Sequence, residues 1–539
     1  MAEKQVETGI STESSTPSSV LDFEEIAGSS RQLGSVEPHV FSDPIRAAHW
    51  REVYEKVKYE GRRRFDPMLT WSPQTERLLK RKLDWRIMAW VWIMFSSLDL
   101  VRRNINRAVS DNMLDDLGVN TNDYNTGQTI YLVCFFIAEL PGGLISKKVG
   151  PFRYTPAIIS IWGVLCACQT AMKSRVTFWV FRALLGFAQG GFIPEMVLYL
   201  SYFYKSNELP IRLSIFYTVI PLTQCYGAFL AAGFLQMRGI RGWGGWQWLF
   251  LLEGLMCIVI GIIAFFVMPA SVTEGALAFK RPDGSNKWWT EEEEKILVNR
   301  ILRDDPTKGD MNNRQAVTLK GIWSAITNYE LWPIYLLGIA AWTPFQPTAN
   351  YLSLILRQMG YSVFQSNLLV IPGYLLFATN TLILGQVSER LNERSITASF
   401  SNVWMLPFFI ALIVLPRTAN PWVRYAMLTG INGIPYTHSI LVGMTSTNAK
   451  GVGTRAVSTA VYNMCYQIGS VIAVNIYREG DKPYYYTGNK VLTALCCVNI
   501  ALFIGMKLFY IWRNKVKARA LADLPEEERK RAVDKRFAH

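Results

Sequence analysis

Histidine is scarce in this chain: only His39, His49, His438 and His539 occur in 539 residues. A multi-histidine metal centre needs several such ligands clustered in space, which argues against a membrane metal oxidoreductase. Neither a metal nor any other cofactor is expected. Paired cysteine is lacking too. Cys134, Cys166, Cys168, Cys225, Cys257, Cys465, Cys496 and Cys497 form no C-x-x-C motif and fall in apolar stretches, where they pack as small apolar side chains. The start of the chain has no apolar core between a basic stretch and a small-residue cleavage site, so it does not read as a secretory leader; 1–42 is rich in Ser, Glu and Thr and reads as a disordered tail. No nucleophile and base pair stands out within the apolar stretches, and an enzyme is not expected.

What the chain has instead is apolar mass. Half of its residues are hydrophobic and only 18% are charged, too greasy a balance for an ordinary soluble protein. Crossing about 30 Å of hydrocarbon takes roughly 20 apolar residues. Stretches of that kind begin near Leu83, Asn125, Phe152, Val176, Arg212 and Gln247, and again near Leu331, Gln365, Thr397, Trp422, Arg455 and Val491. The spacing therefore predicts an all-α membrane protein with twelve transmembrane helices in two six-helix bundles. The expected division is a largely disordered tail over 1–82, a first bundle over 83–268, a central loop over 269–329, a second bundle over 330–512 and a tail over 513–539.

Twelve spans place both termini on one side. Arg77, Lys80, Arg81 and Lys82 precede the first span, and Arg513, Lys515, Lys517 and Arg519 follow the last, so both ends are expected in the cytoplasm. The net charge of +14 fits an anionic leaflet. Basic residues cluster beside spans and form no patch with interleaved aromatics, so no nucleic-acid partner is expected.

The long polar break from Ala270 to Tyr329 separates six spans from six. Inside it, "WWTEEEEKIL" offers Thr290 as an N-cap with Glu293 three residues on, which predicts a short helix. The two halves also repeat. "GLISKKVGPFR" follows the second span and "GQVSERLNER" the eighth, aligning Gly143, Ser146, Lys148 and Gly150 with Gly385, Ser388, Arg390 and Asn392. Gly and Asn tolerate left-handed backbone in tight turns, and duplicated bundles around one pathway are a transporter design.

Those residues carry a resemblance. Gly143, Lys148, Gly150 and Arg153, and more closely Gly385, Glu389 and Arg390, resemble the gating-loop signature of the major facilitator superfamily, although Lys147 stands where the pattern has an acid. "TNDYNTGQTIY", "GFIPEMVLYLSYFYKSNELPIRLSIFY", "WQWLFLLEG" and "NIYREGDKPYYYTGN" are similar to the fungal allantoate permease branch of the anion:cation symporter family. The resemblance implies alternating access and proton-driven uptake of a small organic anion such as allantoate, ureidosuccinate, nicotinate, pantothenate or biotin, by a monomer in the plasma membrane.

Candidate site residues follow from polar groups in apolar helices, where a charge costs about 2.5 to 3.5 kcal/mol and therefore faces protein or water. Asp99 and Arg102, three residues apart, are expected to pair at the end of the first span. Arg102 or Arg103 could offer a guanidinium fork to a substrate carboxylate, or snorkel to the interface. In "RALLGFAQGGFIPEM", Arg182, Gly186 and Gly190 share one face, and Gln189 stands where the resemblance implies a titratable acid. Asp99 and Glu195 are the candidate proton carriers, with a structural salt bridge the alternative for Glu195. In "WTPFQPTANYL", Pro344 and Pro347 should break the seventh span around Gln346 and Asn350. Asn463, Gln467 and Ser470 form a polar stripe on the eleventh, and His438 is either a pH-sensitive group or a packing residue. Arg102, Arg103, Gln189, Gln346, Asn350, His438, Asn463 and Gln467 are thus the expected substrate contacts, and together these point to a proton-coupled importer; an exporter of the same fold and a non-transporting nutrient receptor are the alternatives.

Overall fold

The computed structural model describes residues 40–205, 208–275, 288–309, 319–391, 393–449 and 452–522. Twelve helical passes run through it. The first is a single π-helical turn, Asp84–Met88, continued by Ala89–Ala108; the second is Thr121–Val149 and the third Pro151–Cys168. The fourth is Arg175–Gln189 with Phe192–Phe203, the fifth Leu209–Tyr217 with Val219–Phe234, and the sixth Gly245–Val267. After the central loop come Trp332–Ala340 with Phe345–Gln358, then Val363–Leu368 with Ile371–Leu391, then Ser395–Val414. Pro421–Asn432 with His438–Asn448, Val452–Ala473 and Tyr486–Ala522 complete the set. Each begins within five residues of the position expected from hydropathy.

Eight passes are long and apolar enough to cross a membrane by length and composition: the second to sixth, the eighth, the ninth and the twelfth. The other four, the first, seventh, tenth and eleventh, carry charges, breaks or polar stripes, and all four bring polar side chains to the central cavity. At the periphery, Ile161 and Val164 of the third pass, Val259 and Ile262 of the sixth, Val403 and Ile410 of the ninth, and Val498 and Ile504 of the twelfth are exposed, as lipid contact requires. The third and sixth passes touch through small residues. A Cβ on Gly163 would lie 2.8 Å from Ile258 N, and one on Gly254 would lie 2.6 Å from Ala167 N.

Three extramembrane helices pack on the first half at the face where the first pass begins and the twelfth ends. We label them α1 (Pro44–Lys56), α2 (Pro73–Leu83) and α3 (Glu291–Asp304). The capping box expected at Thr290 is present: its Oγ1 accepts from Glu293 N at 3.3 Å, and Glu293 Oε2 accepts from Thr290 N at 2.9 Å. The expectation of a largely disordered 1–82 is corrected over 40–82. Phe41, Ala47, Tyr54 and Phe65 form a small core with Val298 and Leu302 of α3, which gives these residues apolar surface to bury. Residues 1–39 lie outside the described part.

Charges bolt this platform to the first half. Arg300, fully buried, donates to Glu208 and, at 3.3 Å, to Glu76; Lys205 Nζ reaches Glu76 Oε1 at 2.7 Å, and Lys82 Nζ reaches Glu293 Oε1 at 2.6 Å. Burial by itself would raise the Glu76 carboxyl. Hydrogen bonds from Lys205 and Trp71, with the charges of Lys205 and Arg300, bring it down to about 2.

Candidate functional site: a charged and aromatic cavity between the halves

The central cavity is walled by both halves. Asp99, Arg102, Arg103 and Asn106 come from the first pass, and Gln128, Tyr131 and Glu139 from the second. Opposite them stand Trp342, Phe345, Gln346 and Asn350 of the seventh pass, Phe377 of the eighth, Tyr436 and His438 at the tenth, and Asn463, Tyr466 and Gln467 of the eleventh.

Broken helices present several of these groups. In the seventh pass the chain turns over 341–344, and the carbonyls so released are taken up inside the second half. Asn499 Nδ2 donates to Ala340 O at 2.9 Å, Asn402 Nδ2 to Ala341 O at 3.4 Å, and the two amides bond each other at 3.0 Å. Gln346 thereby reaches the cavity, held by Ser470 Oγ at 2.9 Å. In the tenth pass the interruption at 433–437 is held by Asn380 Nδ2 to Gly433 O at 2.6 Å and Tyr436 N to Thr381 Oγ1 at 3.0 Å, which places Tyr436 and His438 at the wall. His438 Nδ1 lies 3.3 Å from Tyr462 OH. The fourth pass breaks at Gly190 and Gly191, the latter with φ +84°.

At the end opposite the platform the halves are locked. Asn125 Nδ2 donates to Tyr477 O at 2.7 Å, Thr121 N to Glu479 Oε2 at 2.7 Å, Asn475 Nδ2 to Thr129 Oγ1 at 2.9 Å and Asn367 Nδ2 to Ser110 Oγ at 3.0 Å. The cavity floor belongs to the same closure, where Asn106 Nδ2 donates to Asn350 Oδ1 at 3.2 Å.

A family model described as Major Facilitator Superfamily matches residues 91–474. The chain belongs to the Major Facilitator Superfamily. An uncharacterized transporter of Saccharomyces cerevisiae is 48% identical over 501 residues, 93% of this chain and 92% of its own length. The MFS-type transporter efuF of Hormonema carpetanum is 25% identical, covering 83% of this chain and 88% of that protein. The partially occluded, inward-open xylose transporter XylE of E. coli matches with a TM-score of 0.54 at 13% identity, over 78% of this chain and 98% of XylE. A bacterial homolog of the human lysosomal transporter Spinster, inward-facing and occupied, matches at 0.54 and 11% identity, over 83% and 98%. The structural likenesses show the fold. This facilitator is a multi-pass membrane protein and a secondary transporter, not an enzyme.

Seven of the eight residues expected to contact substrate line its cavity: Arg102, Arg103, Gln346, Asn350, His438, Asn463 and Gln467. Gln189 does not. It is fully buried one layer back, its Oε1 accepting from Tyr131 OH, because the face of the fourth pass that bears it packs on the second pass. Of the two candidate proton carriers Asp99 lines the cavity, whereas Glu195 is buried outside its lining.

The expected pair of Asp99 with Arg102 is also corrected. Asp99 Oδ1 accepts from Arg103 Nε at 2.8 Å, four residues on, and its Oδ2 has no hydrogen-bond partner among the described residues. The first pass runs on to Ala108, so both arginines sit within the helix and not at its interfacial end. Arg102 makes no ion pair among the described residues; its guanidinium lies over the rings of Phe135 at 5.2 Å and Tyr131 at 6.0 Å.

The gating-loop glycines differ from expectation as well. Gly143 and Gly385 lie inside the second and eighth passes, and only Gly150 adopts a left-handed backbone, at φ +95°. Lys148, Arg153 and Arg390 are exposed, with Arg153 over the Phe152 ring at 5.1 Å. The side chain of Glu389, and Asn392 altogether, lie outside the described part.

Two functional candidates escaped the sequence reading, and a third, Arg182, is placed by it only on a helix face. Glu139 is a second cavity carboxyl, and its signal was available as an acid in an apolar run, "FFIAEL". Glu253 of the sixth pass is fully buried near Arg107 and Asn104, behind the cavity. Arg182, fully buried, donates to Gln128 and lies 4.2 Å from the centre of the Tyr131 ring, so it braces two cavity residues from behind.

Proposed function

We propose that this protein is a proton-coupled importer of a small organic anion, working by alternating access in the plasma membrane as a monomer with both termini cytoplasmic. The observation that carries the reading is Arg102: a guanidinium on the cavity wall whose neighbour Arg103 already holds Asp99, leaving Arg102 without a carboxylate of its own among the described residues. A half-buried cation of that kind is satisfied by a ligand carboxylate, which its planar fork can meet with two parallel bonds.

Asp99 and Glu139, both at the cavity, are the groups able to take and release a proton during the cycle. A proton on Asp99 would free Arg103 and change the charge the substrate meets, so binding differs between the two protonation states, as coupling requires. The basic residues beside the first and last passes support the orientation. The resemblance to allantoate permeases supports an organic anion as cargo.

The test is uptake of labelled allantoate, ureidosuccinate, pantothenate, nicotinate and biotin by cells expressing the chain, at acidic and neutral external pH, with and without a protonophore. Accumulation that needs the proton gradient and disappears in Arg102→Gln is the expected outcome. No uptake of any member with the protein at the cell surface, or accumulation indifferent to the protonophore, overturns the reading.

A further inference from the structure

The two walls of the cavity have different chemistry. Among the described residues, every Asp, Glu, Lys or Arg that lines it lies on the first-half wall: Asp99, Arg102, Arg103 and Glu139. Rings line both walls, Phe95, Tyr131, Phe135 and Tyr217 on the first; on the second-half wall, which bears no Asp, Glu, Lys or Arg among the described residues, they form one cluster in mutual contact. Trp342 lies 4.4 Å from Phe345, 4.6 Å from Tyr436 and 6.5 Å from Tyr466 between ring centres, and Phe377 lies 6.0 Å from Phe345 and 5.7 Å from Tyr436. Phe345 and Phe377 are buried, as core rings are, but Trp342, Tyr436 and Tyr466 stay partly exposed at the cavity. A polar transport path gains nothing by presenting ring faces to water; those faces are suited to a flat apolar body that covers them.

The charge balance narrows the ligand further. Asp99 neutralises Arg103, so Arg102 is the one lining guanidinium without an ion pair among the described residues. One carboxylate satisfies it. A second carboxylate on the same ligand would find no Lys or Arg among the described residues of the second-half wall and would meet the carboxyl of Glu139 on the first.

We propose that the substrate is a planar aromatic or heteroaromatic monocarboxylate, its carboxylate on Arg102 and its ring against Trp342, Tyr436 and Tyr466. This rests on the anion reading above and goes beyond it by fixing the number of charges and the shape of the remainder. Offset or edge-on stacking rewards planarity, which a saturated ring of equal size lacks.

The experiment is calorimetric binding to the purified full-length protein with four probes: benzoate, cyclohexanecarboxylate, benzamide and phthalate. Benzoate is expected to bind at least tenfold tighter than each of the other three. Arg102→Gln should abolish its binding, and Trp342→Leu should erase the preference over cyclohexanecarboxylate while leaving carboxylate binding in place. The comparison within the unaltered protein needs no variant to fold.

If cyclohexanecarboxylate or phthalate binds as tightly as benzoate, and binding still needs Arg102, the aromatic proposal falls while the anion reading stands. If benzamide binds as well as benzoate, or if none of the probes binds, the proposal falls. Benzoate binding that survives Arg102→Gln unchanged removes the anion reading with it.

Discussion

Arg102 and Arg103 are adjacent in sequence and opposite in circumstance. Arg103 is tied to Asp99 at 2.8 Å, whereas Arg102 rests over the rings of Phe135 and Tyr131 at the cavity. A hydrogen bond to a charged group contributes about 1.5 to 3 kcal/mol, so Arg102→Gln should weaken anion binding tenfold or more. Arg102→Lys should recover only part of it, since an ammonium keeps the charge but loses the fork. Titration calorimetry with the transported anion checks this, and equal affinity of all three proteins would remove Arg102 from the site. The same pair shows what sequence reading can and cannot reach. That charges at 99, 102 and 103 matter was legible from their cost in an apolar helix. Which arginine pairs was not, because i,i+3 and i,i+4 partners are both neighbours on a helix and the surrounding packing chooses between them.

At the scale of elements, close approach and interruption shape the cavity. A Cβ on Gly190 would lie 2.5 Å from Phe135 O, and one on Gly186 would lie 2.5 Å from Tyr131 O, so the second and fourth passes meet backbone to backbone. Gly190→Ala should therefore cost about 1 to 3 kcal/mol in overpacking and lower the melting temperature in detergent. Gly143→Ala is the contrast. It is helical with nothing within 4 Å of its would-be Cβ, and the substitution should be neutral or stabilising. A melting point lowered equally by both would show that Gly143 is a turn glycine after all. The helical-spacing argument for Gly186 and Gly190 was readable from the sequence. The turn assigned to Gly143 and Gly385 is replaced by helix in the structure, because a glycine inside an apolar run reads equally as a stop or as a contact.

The whole molecule divides into a platform on the terminal face and a lock on the opposite one. Glu76 sits in the platform with its carboxyl near 2, below the ordinary 4.5, so its contribution to stability is complete above about pH 4.5 and is lost as the pH falls toward 2. Hydrogen-exchange protection of α2 and α3, taken against the intrinsic rate at each pH, should fall over that window, and Glu76→Gln should remove the pH dependence; an unchanged profile in the variant would assign it to other groups. On the opposite face Glu479 accepts from Thr121 N at the start of the second pass and from Lys482 Nζ, a position where a helix N-terminus favours an anion. Glu479→Gln should loosen the lock and lengthen spin-label distances between 122 and 478 across it. Distances unchanged from the parent protein would place closure on the remaining amide contacts.

The sequence by itself determined the twelve passes, their division six and six, the capping of α3 and the pool of polar groups from which the cavity is built. These follow from hydropathy, capping and periodicity, which act over one or two helical turns. Tertiary structure decided the rest: that Gln189 faces Tyr131 and not the cavity, that Glu139 reaches the wall, that Asn402 and Asn499 take up the carbonyls freed in the seventh pass, and that 40–82 folds against α3. The partners in these contacts lie tens to hundreds of residues apart. The rotation of a helix about its axis, and so the side chain it shows to the pathway, is set by neighbours that local sequence does not name.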